Sequence, residues 1–265
     1  ADWIPSDLDV VARLDLGRVR DALGPAALET LAKEALTGGN AGRDPGGLLL
    51  ASLLSAELVF LGFRPGGDLA PLDRVLAVEG RFEQLRRPPA GFSGATDLGG
   101  DVRYWERRPT EERLPRLETA RIYAFGERTR VFVSAAEIDA VERALSGLGG
   151  EGRLVSPEQG TLSVAARPWL LNRLLGGAAL DELFRRAKAL TLVTDLESDR
   201  LLLKFQLELA NETDAERLAH AVKEVLARQL AGTPLAASAR VEVLEERVTL
   251  GAKLSRAELG GAVAC

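Results

Sequence analysis

The 265-residue chain has no Met, one Cys and one His. Cys265 is the last residue, so no intrachain disulfide can form. A zinc site built from Cys and His cannot be assembled from this inventory, and no metal or cofactor site is expected. Ser-His-Asp or Cys-His catalysis would have to run through His220. Long hydrophobic runs are also missing. The longest, Leu48 to Leu61 with Glu57 as its only charged residue, is about 14 residues, short of the ~20 needed to span a bilayer. Positive charge is in deficit, with a net charge of −5. That disfavours wholesale electrostatic binding to nucleic acid.

What is present suits a globular protein. Hydrophobic residues make up 46% and charged residues 28%, enough apolar material to offset chain entropy. The length corresponds to about two domains.

An internal repeat gives those domains a form. Shifted along the chain, Pro5, Leu23, Gly24, Ala26, Ala27, Leu28, Leu31 and Ala35 fall on Pro157, Leu175, Gly176, Ala178, Ala179, Leu180, Leu183 and Ala187. Further on, two strands around Gly126-Glu127-Arg128 are matched by two around Glu245-Glu246-Arg247. Each pair ends in a Ser-x-x-Glu capping box, Ser134 to Glu137 and Ser255 to Glu258. The expectation is an α+β fold, two tandem copies of a mostly antiparallel sheet with helices packed on one face, related by a pseudo-twofold. The first copy covers 1–150 and the second 151–265. The first carries an inserted apolar helix over 48–61 and an Arg-rich loop. In the second, Leu190–Leu196 and Arg200–Leu209 form a hairpin in which Leu203, Phe205, Leu207 and Leu209 alternate with Lys204, Gln206 and Glu208. Asp214–Leu230 forms an amphipathic helix opened by a Thr213–Glu216 capping box. Residues 88–115 read as long loops around one strand, Val102–Arg107.

Motifs with chemical meaning are few. Gly147-x-Gly149-x-x-Gly152 has dinucleotide-binding spacing, but a helix precedes it and a strand follows, the reverse of what phosphate binding requires. It reads as a helix end and a linker. Gly91-Phe-Ser93-Gly94-Ala95 lacks the order of a nucleophile elbow and reads as a loop. His220 falls opposite Leu218 and Val222 and reads as a surface residue. Asp7, Asp9 and Asp15 could share a strand face, without the Gly-bearing loop of a calcium site. From Arg81 to Arg130, Arg residues interleave with Phe82, Phe92, Tyr104, Trp105, Tyr123 and Phe125. Arg with aromatics can stack on bases or meet an anionic surface. A sheet with one aromatic and one charged face gives the same pattern. Within this run, Arg103, Tyr104, Trp105, Arg107, Arg108, Arg113 and Arg116 are the candidate partner surface.

The opening Ile4-Pro5-Ser6-Asp7, with Val11, Asp15, Leu16, Val19 and Arg20, is followed by Leu61-Gly62-Phe63-Arg64-Pro65 and Gly80-Arg81-Phe82-Glu83. This pattern resembles uncharacterised secreted proteins or lipoproteins of myxobacteria and related high-GC bacteria. The resemblance covers most of the first copy. It implies an export signal, and a lipid-anchored Cys, upstream of Ala1, and hence a location in the periplasm or at the outer membrane. It implies no activity.

The leading expectation is a non-enzymatic extracytoplasmic binding or scaffold protein of the bacterial envelope, with an envelope protein as partner. Two alternatives stay open. One is a carrier for an apolar small molecule or lipid held between the sheets and the 48–61 helix. The other is a carboxylate-only hydrolase using Asp7, Asp9, Asp15 or Glu111. Nucleic acid is not an expected partner, and the oligomeric state is open.

Overall fold

The computed structural model describes residues 3–37, 47–66, 71–85, 87–99, 101–108, 118–147, 154–171, 178–197, 200–228 and 231–255. The chain divides into two compact units, Ala1–Leu154 and Val155–Cys265.

Unit one is built on seven strands. These are β1 (Val10–Asp15), β2 (Ala56–Pro65), β3 (Pro71–Gly80), β4 (Phe92–Gly99), β5 (Val102–Arg107), β6 (Thr119–Phe125) and β7 (Thr129–Ser134). They pair antiparallel in the order β1-β2-β3-β7-β6-β5-β4. Helices α1 (Leu16–Leu23), α2 (Pro25–Thr37) and α3 (Leu48–Ser55) follow β1, and α4 (Ile138–Leu145) follows β7.

The central strands β3, β7 and β6 are covered on both faces, while β4 is exposed beyond Phe92. On one face, Leu16 and Val19 of α1, Leu28 of α2 and Leu49 of α3 close over Val59, Val78, Trp105, Ile122 and Phe132. On the other, the leading segment (Trp3, Ile4, Leu8) and Val141 of α4 close over Val75, Ala77, Tyr123, Val131 and Val133. Every residue of β6 from Thr119 to Ala124 is therefore buried, as a strand with two covered faces requires.

Unit two has five strands, β8 (Leu162–Ala166), β9 (Ala189–Leu196), β10 (Arg200–Glu208), β11 (Arg240–Leu244) and β12 (Arg247–Ser255). They pair antiparallel in the order β8-β9-β10-β12-β11. Its helices are α5 (Ala178–Arg186), α6 (Glu212–Arg228) and α7 (Pro234–Ser238). The β9–β10 hairpin follows the alternation read from sequence. Leu207, Val248 and Ala252 are buried with Ala215, Leu218 and Ala219 of α6, while Lys204 and Lys253 on the other face are exposed.

The expected fold class does not hold. The described residues carry twelve strands and only short helices apart from α2 and α6, so antiparallel sheet is the frame. Helices are not confined to one face, because α1–α3 and α4 cover opposite faces of unit one. Nor are the units like copies. One has seven strands and the other five, and they share only the succession β1-β2-β3-β7-β6 against β8-β9-β10-β12-β11.

The 48–61 helix is a second correction. Helix ends at Ser55, and Ala56 starts a ten-residue strand containing Val59 and Phe60. A short continuous apolar run fits a buried strand as well as a helix, and the β-branched and aromatic residues decide it. The chain reverses sharply here. A Cβ on Gly80 would stand 2.7 Å from the Ser55 carbonyl oxygen, so glycine lets β3 pass the α3–β2 junction.

Two caps also moved. Ser134 bonds no helix amide; its Oγ accepts from the Arg74 N–H at 3.0 Å, and Glu137 is buried against Arg64. α6 opens two residues earlier than read. Asn211 Oδ1 accepts from the Asp214 N–H at 2.9 Å, and its Nδ2 donates back to Asp214 Oδ2 at 3.2 Å. The Asn211→Ala variant should lose about 1 kcal/mol, read as a lower urea midpoint with an unchanged slope.

Candidate functional site

The Arg-rich run does not present one surface. β5 alternates, so Trp105 enters the core beside Phe92 and Ile122, while Tyr104 points to the opposite face beside Tyr123. Arg103 pairs with Asp97 at 3.6 Å, Arg107 pairs with Glu118, and Arg108 Nε donates to the Phe92 carbonyl at 3.2 Å. Arg113 and Arg116 lie outside the described residues.

The Arg–aromatic interleaving is instead spent within the fold. The Arg121 guanidinium lies 4.4 Å from the Tyr104 ring centroid, donates to Tyr123 Oη at 3.0 Å and pairs with Glu106 and Glu142. Burial alone would lower its pKa. The bonds to Tyr123, Glu106 and Glu142 overcome that and hold it above the ordinary arginine value. Burial raises the Tyr123 pKa, with Arg121 opposing. Arg130 lies 4.6 Å from the Phe82 centroid and donates to Ser52 Oγ at 2.8 Å and to the Glu83 carbonyl at 2.9 Å.

A second charged cluster ties the leading segment to the sheet. Arg64 on β2 pairs with Asp7 at 2.7 Å and with Glu137. The Glu137 side chain is 1% exposed, and its Oε2 has no hydrogen-bond partner among the described residues. Its pKa is raised, because burial outweighs the opposing pull of Arg64. For Arg64 the balance is reversed. Burial works against its charge, but Glu137 and Asp7 raise its pKa. The cation is thus firmly held, and the buried carboxylate depends on it.

The remaining candidates stay separate. His220 is exposed on α6. Asp15 caps α1 by accepting from the Arg18 N–H at 3.0 Å. Asp7 is spent on Arg64 and precedes β1, so Asp7 and Asp15 serve different structural tasks. Glu111 and Cys265 lie outside the described residues. Among the described residues, no group of three or more His, Cys, Asp or Glu could hold a metal, and no helix is long and apolar enough to cross a membrane.

A concavity with ligand dimensions lies in unit two. A groove of about 650 Å³ runs between α6, α7 and β11. Leu226 and Ala227 of α6, Ala236 and Ala237 of α7 and Val241 of β11 supply an apolar lining, with Lys223 and Arg240 also lining it. The volume falls in the range of small-molecule sites, which are mostly apolar with a few polar groups. Thr233 caps α7 by accepting from the Ala236 N–H at 3.2 Å, which fixes the short helix over the groove. The apolar site expected from the sequence lies at the 48–61 segment, where Leu49, Ala56 and Val59 are buried in the core of unit one. The signal for the actual groove was the small-residue stretch 231–239, which leaves space between a helix and an edge strand.

No family model and no curated protein matches the chain. Solved structures do. In fold the chain is similar to TP0453. Crystal form I of that protein superposes with a TM-score of 0.53 at 13% identity, covering 99% of this chain and 96% of TP0453. Crystal form IV superposes with a TM-score of 0.55 at 12% identity, covering 100% and 96%. At this identity the TP0453 likeness establishes a shared fold along nearly the whole of both chains.

Proposed function

We propose that the protein is a non-enzymatic binding protein of the bacterial envelope, acting outside the cytoplasm, and that it holds a small apolar or amphipathic ligand between α6, α7 and β11. The apolar groove in unit two carries this reading. The envelope setting rests on the opening pattern's resemblance to secreted proteins and lipoproteins of high-GC bacteria, and the fold shared with TP0453 runs along nearly the whole of both chains. The acids offered for hydrolysis give it further support, since Asp7 is engaged by Arg64 and Asp15 by a helix N-terminus.

The test is a titration with a fluorescent fatty acid. The wild-type chain should bind it saturably and release it to an unlabelled fatty acid. Leu226→Trp, which fills the groove from α6, should weaken binding at least about tenfold, the equivalent of ~1.4 kcal/mol, and leave the thermal midpoint nearly unchanged because Leu226 is half-exposed. Equal binding by the variant would place the ligand elsewhere.

A further inference from the structure

Gly251 stands in the middle of β12, where glycine weakens a strand and offers no side chain to pack. Nothing in the fold asks for it. Its backbone is not in the left-handed region, and a Cβ built on it would come no nearer than 4.0 Å to any neighbour, the Leu203 carbonyl oxygen. With glycine at an open strand position the protein gives up stability without a structural return.

The neighbours of that opening are cations. Gly251 pairs with Lys204 on β10 and with Arg240 on β11, so both project from the same face as the missing side chain. Lys253, two residues along β12, shares that face. With strands ~4.8 Å apart, Lys204 and Arg240 flank the opening at about 10 Å, and Lys253 stands about 7 Å along it. All three are exposed. None pairs with a carboxylate among the described residues; Arg240 Nη1 donates only to the neighbouring Ala239 carbonyl, at 2.9 Å. The three line one depression of about 610 Å³, together with Thr249, Ser238 and a single acid, Glu242. In a chain of net charge −5, three unneutralised cations around a vacant strand position form a local reversal of field.

We propose that this face of unit two binds a phosphate-class oxyanion seated over Gly251 between Lys204, Arg240 and Lys253. A tetrahedral anion of charge near −2 matches three converging cations, and the planar guanidinium of Arg240 supplies paired donors to it. A carboxylate would leave most of that charge unused. The site is on the face of β10, β11 and β12 opposite the one α6 covers, and it does not rest on the apolar-ligand reading.

The experiment is calorimetric titration of the whole chain at low salt with inorganic phosphate and with glycerol 3-phosphate, using acetate as the comparison anion. Both phosphates should bind, more tightly than acetate, and added salt should weaken them. The double variant Lys204→Gln/Lys253→Gln should weaken phosphate at least about tenfold. Gly251→Thr should move two readouts in opposite directions, raising the thermal midpoint, since Thr suits a strand, while weakening phosphate. A second arm uses phosphatidylcholine vesicles with about 20 mol% phosphatidic acid. Vesicle binding lost in the double variant assigns the phosphate to a lipid headgroup, and binding of the free phosphates alone assigns it to a soluble ligand. Absence of phosphate binding by the wild type, or binding unchanged in the double variant, would overturn the proposal. So would a Gly251→Thr protein that is destabilised yet binds phosphate normally.

Discussion

Replacing Arg64 with Ala is expected to destabilise the protein by about 3–5 kcal/mol, the range for stranding one member of a buried ion pair. The partner left behind is Glu137, with a side chain 1% exposed and one oxygen already without a hydrogen bond among the described residues. Asp7 is 56% exposed and can return to water, so it adds little. The double variant Arg64→Ala/Glu137→Gln should recover most of the loss, because the uncompensated charge is gone. The pH dependence separates this from lost packing. Burial raises the Glu137 pKa in the folded state above its unfolded value. Between those two values the folded state keeps a proton that the unfolded state has released, so stability falls as pH rises through the window. Removing Arg64 takes away the opposing influence and widens it. The single variant should therefore regain stability as pH falls from neutral towards the ordinary carboxylate range, and the double variant should not. Urea unfolding at several pH values reads both.

Trp105→Ala is expected to cost about 3–5 kcal/mol, as for other large aromatic deletions. Trp105 is 1% exposed, packs with Phe92, Ile122 and Phe132, and bridges β4 to the centre of the sheet in unit one. Its indole N–H has no acceptor among the described residues. Trp105→Phe therefore removes an unsatisfied buried donor along with some volume. It should be much the milder change, within about 1–2 kcal/mol of wild type. Unfolding followed by far-UV circular dichroism measures both variants without relying on the fluorophore removed. Equal losses for Ala and Phe would mean that the indole N–H has a partner.

These two residues also show how much of the architecture could be read in advance. Local hairpins were legible. The strands around Gly126-Glu127-Arg128, the β9–β10 pair and the strands around Glu245-Glu246-Arg247 follow from short turns between apolar runs, and the pairings agree. Strand β4 was not legible. Its Phe-Ser-Gly-Ala-Thr-Asp sequence has little strand character, and it pairs with β5 through irregular register shifts. Trp105 and Tyr104 looked like one aromatic surface because sequence adjacency hides the pleat, which sends them to opposite faces. Helices on both faces of unit one could have been suspected from β6 and β7, whose runs lack the alternation of a half-solvated strand. The caps failed for a different reason. Several Ser, Thr and Asn residues near a helix start compete for the same amides, and tertiary bonds such as Ser134 to Arg74 decide among them.

Of the candidate site, only fragments were legible. The α6 stripe pointed to a packed helix, yet the groove needs α7 and β11 as well, and those are lined by alanines that carry no pattern. Gly251 did carry a signal, since a glycine inside an alternating strand marks a bulge or a close approach by another group. The cations that give it meaning come from three strands and meet only through the register.

The central claim, that unit two holds an apolar or amphipathic ligand between α6, α7 and β11, is tested most directly by NMR chemical-shift mapping of the isotope-labelled chain titrated with a medium-chain fatty acid. Saturable shifts should cluster on Leu226, Ala227, Ala236, Ala237 and Val241. Shifts that instead cluster on 102–108 in unit one, or no saturable shifts at all, would contradict it.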